Sequence, residues 1–294
     1  MTGPATDGTR PPGAAGTTAP GSAFPPPSTY LPAPRGPWTQ LLHDLHTTGT
    51  GLVHAYLSEW RSELLEGRER RALLGRDMER YEKLATAQLR ERFLATRMLI
   101  RYTAAVALGA EPAALELRYG LNGRVHLRGH DQIDVSLSHT ADLLLCGITS
   151  LGVIGVDTEP AGRKLSSPDV ERLMCTEPER ERLARTAQPD RDRVLLHLWT
   201  LKEAYSKALG QGLRFPFTEF GFRLDDEGTA RLERSDGTLV RDGTWRFGTR
   251  IVPGGHLAAL ALQDTRRSEP PDTRAGTAVN RQILAAITGA SSSG

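Results

Sequence analysis

Leu151-Gly-Val-Ile-Gly-Val-Asp-Thr-Glu-Pro160 is an apolar run that stops at two carboxylates and a proline. Val153, Ile154 and Val156 read as a buried β-strand, and Pro160 as the turn that ends it. The strand opens a second copy of a pattern that the chain has already written once. Upstream, GLVHAYLSEW (51–60) is strand-like, and the stretch from about Asp77 to Leu108 places apolar residues at helical spacing. LELRY, the turn signal Asn122-Gly123, VHLR and the apolar pair IDVSLS and LLLCGIT follow. Downstream, helical patterns around Val170 to Arg185 lead to a long helix from about Asp190 to Leu209, then FTEFGFRL, the turn DDEG, TARLER, TWRFGTRIV and HLAALAL. Each half is strand, long helix, then turn-linked strands. This order predicts an α+β fold built as a pseudo-two-fold pair of similar subdomains, each a small, mostly antiparallel sheet packed on a long helix, with the active site between them.

Composition sets the limits of that fold. Residues 1–37, rich in Pro, Gly, Thr and Ala, bury too little apolar surface to offset chain entropy and are expected to form a disordered leader. The N-terminal half then spans 38–152 and the C-terminal half 153–264. Residues 265–294 are expected to be a flexible tail, in which AVNRQILAAITGA offers one short amphipathic helix. The 294 residues are 38% apolar and 24% charged, as in a soluble globular protein. A net charge of +2 with no basic run interleaved with aromatics argues against nucleic acid as a partner. No secretory signal opens the chain and no apolar run approaches the roughly 20 residues that span a bilayer, so a cytoplasmic monomer away from membranes is expected. Cys146 and Cys175 have neither metal-ligand spacing nor a disulfide framework, and read as small core residues.

Asp157 and Glu159 lie two apart on the Leu151–Pro160 strand, so both side chains leave one face about 7 Å apart. Hard oxygens so placed suit Mg²⁺; a solvated strand end is the plain alternative. The second chemical stretch is Trp199–Leu213, WTLKEAYSKALGQGL. It holds two of only four lysines, Lys202 and Lys207, in a chain that otherwise uses arginine. Such a bias favours a compact ammonium over a planar fork at this place. Glu203 and Lys207, four apart, share a helical face with Trp199 one turn earlier; alone they would be an ordinary surface pair. Joined to Asp157 and Glu159, they give three carboxylates and nearby ammonium groups, a set suited to a metal-bound pyrophosphate.

The pair G-V-D-T-E (155–159) and W-T-L-K-E-A-Y-S-K (199–207) resembles the signature of the 4'-phosphopantetheinyl transferase superfamily, in its larger, surfactin-type branch. Further positions agree in order: Arg92 at the start of the long first-half helix, Ser136-Leu-Ser-His139 before an apolar strand, and Glu177 in MCTEPE. The resemblance covers roughly residues 53–262. It implies two similar α+β halves and Mg²⁺-dependent transfer of the phosphopantetheine arm from coenzyme A to a serine of an acyl or peptidyl carrier protein, releasing adenosine 3',5'-bisphosphate. By position, Asp157, Glu159 and Glu203 would hold Mg²⁺, Lys207 would contact the phosphates, and Lys202 would support the same site. Glu203 or Glu177 would accept the serine proton, while Arg92 and His139, with Ser138 in the same motif, would hold the nucleotide end.

Two positions depart from the family pattern. Asn122-Gly123-Arg124-Val125 stands where many members have Gly-Lys-Pro against coenzyme A, leaving Arg124 to keep the charge. Thr158 replaces an aliphatic residue, and its hydroxyl is free either to accept a metal-bound water or to do nothing. Leu213, Phe215 and Phe217, after the second helix, are expected to include part of the carrier contact, with a loop packed into the core as the alternative. Two rival functions are a non-catalytic homologue that binds carrier proteins or coenzyme A, and another Mg²⁺-dependent pyrophosphate enzyme. The first predicts a lost carboxylate or a lost Lys207; the second needs a glutamate cluster on one helix. Neither feature is present in the sequence.

Overall fold

The computed structural model describes residues 24–120, 123–165, 167–188, 190–211 and 215–267. Most of the expected leader, Asn122, Leu213 and the expected tail helix lie outside the described residues. The part of the leader that is described is structured: β1 (Thr29–Tyr30) pairs parallel with the later strand at Val53 and His54, and the Pro25 carbonyl accepts from Arg250.

After β1 come α1 (Thr39–Thr48), β2 (Thr50–Tyr56), the short helices α2 (Leu57–Trp60), α3 (Gly67–Leu74) and α4 (Met78–Glu82), and the long α5 (Ala87–Leu108). Two sequence expectations change here. LSEW turns helical rather than extending the strand, and the single helix expected from about Asp77 divides between α4 and α5. Thr86 divides it: its extended backbone lets its hydroxyl accept from the Leu89 amide and cap a new helix. β3 (Leu117–Tyr119), β4 (Val125–Leu127), β5 (Asp134–Thr140) and β6 (Leu143–Thr149) complete the first half. Its four-stranded sheet has the order β1-β2-β6-β5, and β3 and β4 form a separate hairpin. The apolar face of α5, including Leu94, Met98 and Leu99, packs with Val53, Leu144 and Ile148 of this sheet.

The second half runs through β7 (Gly152–Pro160), α6 (Pro168–Met174), α7 (Glu177–Ala184), α8 (Asp190–Leu209), β8 (Phe220–Leu224), β9 (Thr229–Arg234), β10 (Trp245–Val252) and β11 (His256–Asp264). Its five strands are ordered β7-β11-β10-β9-β8, all antiparallel. Leu195, Leu198, Leu201 and Tyr205 of α8 bury against Phe222, Phe247 and Ala259 of this sheet. A third apolar cluster joins the halves, with Leu52, Leu143 and Leu145 from one sheet meeting Ile154, Val156, Leu260 and Leu262 from the other. The chain is thus α+β.

The sheets meet along β5 and β7, and side chains make the join. Asp134, Ser136 and Ser138 alternate along β5 and so leave the strand on one side. Asp134 accepts from the Ile154 amide at 2.7 Å and Ser136 from the Val156 amide at 3.0 Å. Ser138 donates to the Asp157 carboxylate at 2.8 Å. An edge strand that would otherwise leave N–H groups unmet is therefore satisfied by borrowed oxygens. Across β7 lies α8, and Gly155 sets their separation: a methyl at Gly155 would run into the Ala204 carbonyl oxygen and the Ala208 amide.

Candidate active site

The close β7–α8 crossing places Asp157 beneath the last turns of α8. Lys207 reaches down from the helix to the Asp157 carboxylate at 2.6 Å and to the Ser138 hydroxyl at 2.9 Å. Because Ser138 also donates to Asp157, an ammonium, a hydroxyl and a carboxylate from α8, β5 and β7 form one triangle. Asp157 and Ser138 are buried, whereas the Lys207 side chain keeps 30% of its surface exposed. The triangle therefore has one open side, through the lysine.

Glu203, one turn before Lys207, faces the same seam. Its pKa is raised to about 7, first by burial and then by the Asp157 and Glu159 charges, with Lys207 opposing. Its Oε1 is buried and has no hydrogen-bond partner among the described residues. Glu159 accepts from the Trp199 indole N–H at 3.2 Å and pairs with Arg163, whose guanidinium lies 5.9 Å from the Trp199 ring. Trp199, Glu203 and Lys207 thus form one stripe of α8 set along the Asp157–Glu159 face of β7.

Among the described residues no three His, Cys, Asp or Glu side chains converge as a ready metal cage. Asp157 is turned to Lys207, and Glu159 to Arg163. The donor chemistry still fits a hard divalent cation. All three groups offer carboxylate oxygens, one of them an orphaned buried atom, and burial with the neighbouring carboxylates raises the Glu203 pKa, so that a cation there would compete with a proton.

Other expected site residues fall in different places. His139 is exposed beside this seam, and its imidazole pKa is lowered by the surrounding protein and then by the charges of Arg92 and Lys207. That electrostatic coupling joins Arg92 and His139 to the site, and the Arg92 Nε is buried without a partner among the described residues. Arg124 lies within reach, but as a brace: its guanidinium binds Asp134 and the Lys207 carbonyl, and donates to the Ile154 carbonyl at 3.0 Å. It fixes the C-terminal end of α8 to the β5–β7 seam, and those bonds occupy the fork expected to face coenzyme A.

Lys202 is a correction. It is fully buried, donating to Glu179 at 2.7 Å and to the Met174, Phe217 and Phe220 carbonyls at 2.7–2.8 Å. Burial lowers its pKa against the pull of Glu179. It points away from Lys207 because positions five apart on a helix do not share a face. The residue that the sequence reading missed is its partner, Glu179, which also accepts from the Thr176 and Phe222 amides at 2.8 Å. Thr176-Glu-Pro-Glu179 is a capping box, a signal visible in the sequence. Glu177, in the same turn, stays exposed and pairs with Arg180 rather than with any residue of the triangle.

Two further expectations change. Thr158 alternates to the opposite face of β7, where it is buried and donates to the Leu257 carbonyl at 2.9 Å. Phe217 is buried edge-on to Trp199 and Phe215 stacks on Phe220 at 4.7 Å, so both pack into the core instead of standing free for a partner. Cys146 and Cys175 are buried free thiols, as expected, each pushed up to about 12 by burial. No helix among the described residues is long and apolar enough to cross a membrane.

Comparison with known proteins points to one family. A family model described as the 4'-phosphopantetheinyl transferase superfamily matches residues 153–261, the segment that holds β7 and α8. A 4'-phosphopantetheinyl transferase of Bacillus subtilis is 29% identical over 177 residues, 59% of this chain and 78% of that protein. A phosphopantetheinyl transferase of Thraustochytrium sp. is 30% identical over 201 residues, 64% of this chain and 69% of that one. An L-aminoadipate-semialdehyde dehydrogenase-phosphopantetheinyl transferase of Eremothecium gossypii is 33% identical over 126 residues, 41% of this chain and 45% of that one. With Asp157 and Lys207 both inside the segment that the family model matches, the chain is an enzyme belonging to the 4'-phosphopantetheinyl transferase superfamily.

Proposed function

We propose that this enzyme moves the 4'-phosphopantetheine arm of coenzyme A onto a serine of an apo acyl or peptidyl carrier protein, with Mg²⁺ required and adenosine 3',5'-bisphosphate released, as in the surfactin-type branch. The observation that carries the reading is the stripe Trp199, Glu203 and Lys207 of α8 facing Asp157 across the seam, with the Glu203 Oε1 unpartnered.

Asp157, Glu159 and Glu203 are the residues that would hold Mg²⁺, which when bound neutralises charge on the pyrophosphate. Lys207 is the residue for the phosphate oxygens. Its ammonium already sits on a carboxylate and a hydroxyl at the open side of the triangle, and an anion there gives it a third acceptor. Arg92 and His139 suit the phosphate at the nucleotide end, since both lie in one positive region beside the seam. Ser138 holds Asp157 and Lys207 in register.

The incoming serine must lose its proton as its oxygen attacks phosphorus. Glu203 is placed for that transfer better than Glu177, because Glu203 faces the seam while Glu177 is engaged with Arg180.

Incubation with coenzyme A, Mg²⁺ and an apo carrier protein should add the mass of one phosphopantetheine arm to the carrier. Failure with several carriers, while coenzyme A still binds, would overturn the transfer reading for this chain.

A further inference from the structure

A second concentration of positive charge lies on the N-terminal half and shares no residue with the site above. Arg68, Arg70 and Arg71 of α3, Tyr81 and Glu82 of α4 and Arg90 of α5 line a cavity of about 670 Å³. Several arginines elsewhere in the fold take carboxylate partners, as Arg61 does with Glu91 and Arg128 with Glu116. None of these four has an ion pair among the described residues, and Glu82 at the rim pairs with none of them. The Nε atoms of Arg70 and Arg90 are buried without an acceptor among the described residues. A buried donor of this kind is costly unless something supplies the acceptor. Arg70 is also held in place, its guanidinium lying 5.1 Å from the centroid of the Tyr81 ring.

Four uncompensated cations around one concavity repel one another, and their planar forks match phosphate oxygens in pairs. The volume is that of a small-molecule site, typically about 300–1,000 Å³. A protein partner would instead need a broad contact of about 800 Å² per side. We propose that this bowl is an anion site for a ligand carrying two or more linked phosphate groups, distinct from the transfer site and occupied independently of it. Free oligophosphates and nucleotides both carry such groups.

Calorimetric titration of the full chain with tripolyphosphate, and separately with ATP, tests this in EDTA. One binding event is expected, weakening as salt rises, with affinity reduced at least tenfold in the double variant Arg68→Gln/Arg71→Gln and again in Arg90→Gln. Arg68 and Arg71 are exposed, so their replacement leaves the fold intact. Lys207→Met should leave this binding unchanged. Binding by tripolyphosphate alone identifies the phosphate chain as the ligand, and tighter binding of ATP adds the nucleoside. The proposal is overturned if the arginine variants bind as the wild type does, or if Lys207→Met alone abolishes binding. It is equally overturned if the double variant raises the KM for coenzyme A, which would make the bowl part of the transfer site. The same holds if neither probe binds while the double variant raises the KM for the carrier, which would make the bowl a protein contact.

Discussion

Lys202 and Lys207 lie on one helix and serve opposite ends of the argument. Lys202 ties the end of α6, the start of α7 and the start of β8 together from inside the core. Lys202→Met leaves Glu179 a buried charge without its partner, so a loss of about 3–5 kcal/mol in stability is expected. Urea unfolding reads this directly. A Lys202→Met protein with wild-type stability would mean that Glu179 finds another partner. Lys207 is partly exposed and is replaceable without opening the core. Lys207→Met leaves Asp157 with the Ser138 hydroxyl at a site that is open on the lysine side, so it should cost less stability than Lys202→Met while lowering kcat for holo-carrier formation by about 10²–10³, the scale of losing one transition-state charge contact. Equal loss in both assays would make Lys207 another structural lysine. Both residues stood out in the sequence because lysine is scarce there, but scarcity does not tell a phosphate contact from a core staple. The helical spacing did separate them: Lys207 follows Glu203 by four and Lys202 does not. Glu179 was equally readable, through its capping box with Thr176, once the box is taken as a reason to bury the acid.

Elements followed from local pattern wherever the pattern was local. The predicted helix from about Asp190 to Leu209 and the strands around LLLCGIT and HLAALAL appear where apolar periodicity put them. The long first-half helix was drawn too far because apolar spacing runs through Thr86, where a side-chain cap restarts the helix. What no periodicity reveals is the β5–β7 seam, since its bonds join side chains of one half to backbone amides of the other. The same holds for Arg124, which finds acceptors on α8, β5 and β7. The seam depends on how closely β7 approaches α8, and Gly155 is the residue that permits it. Gly155→Ala places a methyl against the Ala204 carbonyl and the Ala208 amide, both backbone groups that cannot turn aside. The helix must lift, at a cost of about 1–3 kcal/mol for overpacking. Because Glu203 and Lys207 ride on α8, transfer should fall together with thermal stability. A Gly155→Ala enzyme with normal melting and normal kcat would show that the crossing is not held this tightly.

Two imidazoles far apart in the sequence, His54 buried and His197 half-buried, give the stability of the whole molecule a pH dependence. His54 lies 1% exposed in β2, stacked on Tyr30, and burial followed by the charge of His256 lowers its pKa to about 4. His197 of α8 bonds Thr249 of β10 at 2.9 Å, and burial followed by Arg193 lowers its pKa to about 4 as well. Unfolded, both rings take up protons near the ordinary value of about 6.5. Their neutral state is thus favourable to folding above that value, and the benefit is lost as pH falls from 6.5 toward 4. At pH 5 the loss amounts to about 2 kcal/mol for each ring. Glu203 titrates in the opposite sense. Its folded pKa of about 7 lies above the ordinary 4.5, so it costs stability above pH 7, and that cost is relieved as pH falls toward 4.5. Wild-type stability between pH 7.5 and 5 therefore sets these two rings, with His139 and His256 lowered in the same sense, against Glu203 and the raised Asp134. Glu203→Gln removes one opposing group, so its urea midpoint should fall more steeply with acid than that of the wild type. His197→Gln removes one ring, so its profile should be flatter. Parallel profiles for all three proteins would show that neither burial of the rings nor the crowding of Glu203 by Asp157 and Glu159 sets the acid response of this fold.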